Sequence, residues 1–414
     1  MWKDKVWQKI RETIDAESSE MIKLQSELVA IPAIGPINGG SGEAEKAKYL
    51  LDYLSGLSLN IKEYNAPDNS VPAGYRPNLV VRLEGINRNR TIWIMTHLDI
   101  VPPGSKDLWQ TDPFQAVVKD GKIYGRGTED NQQEMVASII AIKVLKSLGL
   151  TPNYNVCLLL VADEETGSKF GVQYLVNNYP ELFKKDDLFV VADAGNEDGT
   201  LLEIAEKSML WLKFIVYGKQ AHASAPHHGL NAHRVAANLI CHLDKFFKKR
   251  YKAKNRLFSP PISTFEPTKK ESNVPNINTI PGEDIFYFDC RILPEYDIQN
   301  IITDLQEELA KFQTKYSAKI VLEKVQGEQA APPTSTDADV VKLLKQAIKK
   351  VYNVNAKPRG IGGGTVAAIL RRRGFPAVVW GKFANTAHQP NEYCIIENMV
   401  NDAKVYACLF GKEA

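Results

Sequence analysis

The sequence predicts an α/β fold: a mixed, largely parallel sheet flanked by helices, interrupted by a smaller α+β domain of ferredoxin-like order. Three observations predict it. Strand-like apolar runs at residues 91–95, 156–162 and 188–192 alternate with helical patterns. From residue 210 the order becomes strand, helix, strand pair, helix, strand. From residue 334 the chain resumes helix, glycine-rich loop, helix, strand and helix.

Each element has its own reason. Residues 3–30 place Val6, Ile10, Ile14, Met21, Leu24 and Leu28 at near-helical spacing and read as one amphipathic helix. A Gly/Pro-rich loop (31–42) precedes a second helix, 43–55. Segments 78–83 and 91–95 are strand-like, the second almost wholly apolar and so central in its sheet. A helix at 133–148 stops at Gly149, and strand 156–162, helix 169–178 and strand 188–192 follow. In the middle come strand 210–217, helix 231–247, a polar loop, strands around Pro281-Gly282, helix 298–312 and strand 319–324. The last part holds the glycine-rich loop 360–365 and strand 377–380. The expected division is a main domain in two parts, 1–206 and 328–414, with an insert at 207–327.

Composition excludes several classes. Lysine and arginine number 51 against 49 acids, a net charge of +2 over 414 residues, which gives no field to gather nucleic acid or an anionic membrane. Five cysteines (157, 241, 290, 394, 408) lie far apart without a CxxC, so buried reduced thiols are expected rather than disulfides or a thiolate zinc site. The first residues are charged throughout and lack a signal-peptide core, and no apolar run approaches membrane-spanning length, so a cytoplasmic protein is expected. His227, His228, His233 and His242 read as solvated, as do the basic runs 248–250 and 371–373, while Trp2, Trp7 and Trp93 read as packed.

In open parallel sheets ligands bind beyond the carboxyl ends of the strands. His97 and Asp99 follow the first central run, Asp163, Glu164 and Glu165 the second, Asp193 the third, and His388 the strand at 377–380. Asp130 joins them, in a loop directly before a helix. Imidazole and carboxylate donors without sulfur suit Zn²⁺, Mn²⁺ or Co²⁺. Five ligand groups exceed one catalytic zinc and suit two ions sharing a bridging carboxylate.

These residues resemble the M20 metallopeptidases, the group of carboxypeptidase G2, succinyl-diaminopimelate desuccinylase, acetylornithine deacetylase, aminoacylase-1 and carnosinase-type dipeptidases. The resemblance rests on Thr96-His97-Leu98-Asp99-Ile100-Val101-Pro102, Gly125-Arg126-Gly127 through Asp130, and Asp163-Glu164-Glu165-Thr166-Gly167-Ser168. It continues in Ala221-His222-Ala223-Ser224-Ala225-Pro226 and Ala387-His388-Gln389-Pro390-Asn391-Glu392, in family order over nearly the whole chain. It implies a zinc-peptidase-like catalytic domain with an inserted lid and dimerisation domain, and two divalent ions, expected to be zinc. His97 and Asp193 would bind one ion, Glu165 and His388 the other, with Asp130 between. Asp99 would hydrogen-bond the second ring nitrogen of His97. Glu164 would be the general base, taking a proton from metal-bridging water and passing it to the leaving amine. His222 would donate to the oxyanion of the partner subunit's substrate. Asn278 and Arg291 would bind the substrate carboxylate, and the loop holding Gly364 and Thr365 would bring backbone N–H groups near the substrate.

Departures bear on substrate. Asn131-Gln132-Gln133 follows Asp130 where the family commonly carries Lys and Gly, and Val366 follows Gly364-Thr365 where Asp is frequent. Asp193 stands where family deacylases usually carry Glu and dipeptidases Asp. These features favour a peptide with a free N-terminus; the compact insert counts against a carnosinase-type dipeptidase, and the alternative is an N-acyl-amino-acid deacylase of the desuccinylase or deacetylase type. A binding protein on an inactive scaffold is a third possibility, opposed by the presence of every ligand and of Glu164. A homodimer is expected through the insert.

Overall fold

The computed structural model describes residues 2–411. They fall into two compact units: residues 2–204 with Thr334–Pro358 and 369–411, and Ala205–Pro333 with Arg359–Ala368.

The first unit is built on a mixed sheet. Its strands lie in the spatial order Asn60–Glu63, Leu79–Leu83, Tyr154–Val161, Asn87–His97, Leu188–Val191, Ala377–Val379, Leu201–Glu206 and Lys357–Ile361. The four in the centre, from Tyr154–Val161 to Ala377–Val379, are mutually parallel. Strands Asn60–Glu63, Leu79–Leu83 and Leu201–Glu206 pair antiparallel. The central strands are apolar on both faces because both are covered: Ile92, Ile94, Val156, Leu158 and Val190 are all buried. Helix Gln133–Ser147, buried nearly all round, and helix Ile396–Leu409 pack against each other.

The second unit is a four-stranded antiparallel sheet, order Thr264–Lys270, Glu283–Ile292, Ser208–Tyr217, Lys319–Glu328. One face packs on helices Ala232–Arg250 and Ile298–Tyr316, where Leu212, Phe214, Phe286 and Phe288 meet Leu239, Leu243, Leu305 and Leu309. Both helices begin at a side-chain cap. Asn231 accepts the N–H of Arg234, and Asp297 those of Gln299 and Asn300, satisfying donors that the first turn leaves free. The α/β fold with an inserted domain is the one expected.

Local differences have local causes. The stretch read as one helix is two, Asp4–Ala16 and Ser18–Val29, broken at Glu17, whose ψ of 0° leaves the helical region. The polar loop after residue 250 contains strand Thr264–Lys270; it lies at the sheet's edge, mostly exposed, with Pro267 at a register shift. The strands flanking Pro281-Gly282 do not pair as a hairpin, since Thr279–Ile280 joins Ala221–His222 instead. Cys241 is exposed, while the other four cysteines are buried. His233 and His242 are solvated as expected but also paired, lying 2.9 Å from Asp284 and 2.7 Å from Glu308. Arg371 is buried beside Glu203 at 3.4 Å, not part of a solvated basic run. Among the described residues no helix is long and apolar enough to cross a membrane.

Candidate metal centre

Because the four central strands are parallel, the segments leaving their carboxyl ends emerge along one edge of the sheet. That edge holds His97, Glu164, Glu165, Asp193 and, after the short strand Ala377–Val379, His388. Asp130 enters from the turn Thr128–Gln132 that precedes helix Gln133–Ser147.

The side chains converge. His97 Nε2 lies 3.0 Å from Asp130 Oδ1 and 3.1 Å from Asp193 Oδ1. His388 Nε2 lies 2.9 Å from Asp130 Oδ2 and 3.2 Å from Glu165 Oε2. Asp130 thus directs one oxygen at each imidazole. Two donor groups, His97 with Asp130 and Glu165, and His97 with Glu164 and Asp193, each fit within 4.8 Å. A cluster of partly buried carboxylates facing two imidazole nitrogens is the donor set of a divalent cation, so the residues present fit the metal.

The electrostatics agree. Burial opposes a charged His97 ring, yet Asp193 and Asp130 hold its pKa well above the ordinary value. His388 is pushed up to about 10 by its hydrogen bonds to Asp130 and Glu165. A field of carboxylates that draws protons onto imidazoles draws a cation to the same place. Burial, then the charge of Asp193, raises the Glu164 carboxyl well above the usual range.

One expected contact is different. His97 Nδ1 faces the backbone carbonyl of Asp99 at 2.9 Å, with the carboxylate at 3.6 Å. The carboxylate is turned instead toward the backbone N–H groups of Glu164 (3.0 Å) and Glu165 (3.1 Å), two otherwise free donors of the turn Glu164–Thr166. Asp99 therefore fixes the ring through its main chain and the acidic turn through its side chain.

Three polar residues at the site carry roles that the sequence did not assign to them. Asn131 donates to Asp193 Oδ1 at 2.8 Å and accepts the His97 N–H at 3.1 Å. Glu129 and Glu392 are buried between the ligand loops. Glu392 sits inside a matched motif, and Glu129 and Asn131 flank Asp130, so proximity to a ligand was the available signal. Burial pushes Glu392 up to about 7 against the pull of Arg126.

The remaining candidates belong to the second unit. His222 is exposed, its Nδ1 facing the Ser224 hydroxyl at 2.7 Å. Asn278 accepts the N–H of Ala223 on its backbone carbonyl at 2.9 Å. Arg291 is held by Asp289 and donates from Nη1 to the carbonyl of Gly362 at 3.1 Å. Gly364 is open on the side a Cβ would occupy, and Thr365 donates its hydroxyl to Glu206 at 2.6 Å.

A model of peptidase family M20/M25/M40 matches residues 93–412. The chain belongs to this family. As an M20 protein it is a metal-dependent hydrolase of peptide or amide bonds. An uncharacterized metallohydrolase of Methanocaldococcus jannaschii is 43% identical over 94% of this chain and 98% of its own. A succinyl-diaminopimelate desuccinylase of Buchnera aphidicola is 26% identical over 95% of this chain and 99% of its own. Among solved M20-like folds, aminopeptidase PepT of Bacillus cereus superposes with a TM-score of 0.74 at 20% identity, covering 95% of this chain and 98% of that one. Human carnosine dipeptidase 1 superposes with a TM-score of 0.69 at 18% identity, covering 98% of both chains.

Proposed function

We propose that the chain hydrolyses a short peptide with a free N-terminus, a dipeptide or an N-terminal residue, with two divalent ions, zinc being the expected metal. His97 and Asp193 would hold one ion, Glu165 and His388 the other, and Asp130 both. Bound there, the ions would supply Lewis-acid polarisation of the scissile carbonyl and lower the pKa of water. Glu164, beside His97 and Asp193 in one donor group, takes the proton of the attacking water as it adds to the carbonyl carbon. It then delivers that proton to the amine as the C–N bond breaks. Asp99 holds the Glu164–Glu165 turn, and His222 donates to the oxyanion of the partner subunit's substrate. Asn278 and Arg291 receive the substrate's carboxylate, and the loop holding Gly364 and Thr365 brings backbone N–H groups near the substrate. The insert serves as lid and homodimer surface, and the proposed compartment is the cytoplasm.

The observation that carries the peptide reading is Asp193. Its carboxylate reaches 3.1 Å from His97 and is fixed by Asn131. Being one methylene shorter than Glu, it leaves room beside that pole for a substrate amine. The peptidase and dipeptidase names among the solved structures accord with this reading. A second reading, an N-succinyl or N-acetyl amino-acid deacylase, is favoured by full-length relatives named desuccinylase at 25–27% identity. Turnover of free dipeptides measured beside N-succinyl and N-acetyl amino acids, with defined Zn²⁺, Mn²⁺ or Co²⁺, separates the two. Reaction with acylated substrates alone would overturn the Asp193 argument.

A further inference from the structure

His388 and Asp130 lie 258 positions apart in sequence, yet their side chains meet at 2.9 Å. The His388 side chain is 53% exposed, so burial cannot hold it; its loop must be held from behind. Two acids do this. Glu129, directly before Asp130, accepts the backbone N–H groups of Ala384, Thr386 and Ala387, the last at 2.9 Å, and the Thr386 hydroxyl at 2.8 Å. Glu392, four residues after His388, accepts the N–H groups of Gly127 (3.1 Å), Glu129 (2.9 Å) and Asp130 (3.1 Å), together with Arg126 Nη1 at 2.6 Å. Each acid leaves the loop of one ligand and grips the loop of the other.

We propose that Glu129 and Glu392 form a reciprocal clasp that positions Asp130 against His388 and thereby sets the second ion's site. The proposal rests on the two-ion reading above. Both carboxylates are buried, at 1% and 0% exposure, and both oxygens of each accept from donors. A glutamine of the same shape therefore turns an N–H₂ group against N–H groups, and the clasp opens. The two halves differ in consequence. Glu129 holds only the loop of His388, whose partner ligand Glu165 is on another segment. Glu392 holds the backbone of Asp130 itself, which faces both imidazoles.

The test strips wild type, E129Q, E392Q and T386V of metal with chelator and titrates each with Co²⁺, read by calorimetry and by the visible absorption of bound cobalt. Wild type is expected to take two ions. E129Q keeps one at wild-type affinity and loses the other by about 10-fold or more, with the matching part of the cobalt spectrum. E392Q weakens both. T386V removes a single donor from Glu129 and gives a smaller shift of the same ion, and it carries the test if a glutamine variant fails to fold. Wild-type affinities and spectrum in E129Q or in T386V would overturn the clasp while leaving the two-ion reading intact. Equal weakening of both ions by E129Q would also overturn it. Fewer than two ions in the wild type would overturn the two-ion reading and the clasp with it.

Discussion

Asp289 holds Arg291 with both carboxylate oxygens, Oδ1 to Nε at 2.7 Å and Oδ2 to Nη2 at 3.0 Å. The two alternate along strand Glu283–Ile292 and so share a face of the sheet, where Trp211 also donates to Asp289 Oδ2 at 3.2 Å. One side of the guanidinium is occupied, and Nη1 is already turned to Gly362. On the proposed role of Arg291, the Nη1–Nη2 end would meet the substrate carboxylate, in a direction that Asp289 sets in advance.

That arrangement makes a prediction about substrate charge. Arg291→Lys loses the planar fork, and Asp289→Asn loosens it. Both should raise KM for a substrate with a free carboxylate, Arg291→Lys by about 10-fold, with kcat changed less than twofold. The same peptides as carboxamides should show no such change. Equal loss on acid and carboxamide substrates would mean that Arg291 serves the sheet and not the ligand.

Glu164→Ala should separate chemistry from metal binding. In the proposed mechanism Glu164 transfers the proton, and the five proposed ligand side chains remain in the variant. Turnover should fall by about 10²-fold or more, while two ions per chain remain by elemental analysis. Loss of an ion along with activity would instead make Glu164 a ligand, a role its place in the donor group with His97 and Asp193 makes worth checking.

Asp99→Asn tests the acidic turn. The carboxylate accepts from the N–H groups of both Glu164 and Glu165, so an asparagine must set its own N–H₂ against one of them. The His97 ring is untouched because its partner is the Asp99 carbonyl. Activity should fall by about 10- to 100-fold, with the ion at His97 retained. Loss of that ion first would show that the side chain acts on His97 after all.

The acidic and imidazole groups that converge at the candidate centre could be picked out from sequence because the fold writes them locally: an apolar run long enough to be a buried strand, followed at once by His97, by Glu164 and Glu165, or by Asp193. The clasp was not legible. Glu129 acts on backbone N–H groups 255 to 258 positions away, and no spacing rule marks a carboxylate that serves a distant main chain. Asn131 is similar, since its partner Asp193 lies on another strand's end. Strands were missed where burial was low or the run short. Thr264–Lys270 is polar, mostly exposed and carries Pro267.

Away from the metal centre, a second acidic pair sets how stability responds to pH. Glu134 and Asp402 lie on the packed helices Gln133–Ser147 and Ile396–Leu409, both buried. Tyr406 donates to Glu134 Oε2, Tyr352 to Asp402 Oδ1 at 2.7 Å, and Gln133 to Glu134 Oε1 at 2.9 Å and Asp402 Oδ2 at 3.3 Å. The cation facing the group is Lys382, whose Nζ lies over the Tyr352 ring at 4.6 Å, and its N–H donates to Asp402. Burial, then the charge of Glu134, raises Asp402 well above the carboxylate range, and burial raises Glu134. The folded state therefore binds protons more tightly than the unfolded one. The stability this contributes is complete below the unfolded pKa of about 4 and drains as pH rises through the folded values. The slope is at most about 1.4 kcal/mol per pH unit for each proton. Asp402→Asn keeps the acceptor for Tyr352 and removes a titrating group, at a pH-independent cost where its N–H₂ meets the donors of Gln133 and Lys382. The difference between the two proteins' thermal midpoints, which cancels every group they share, should shift in favour of the variant by a few degrees between pH 5 and 8. A constant difference across that range would show that the pair does not titrate there.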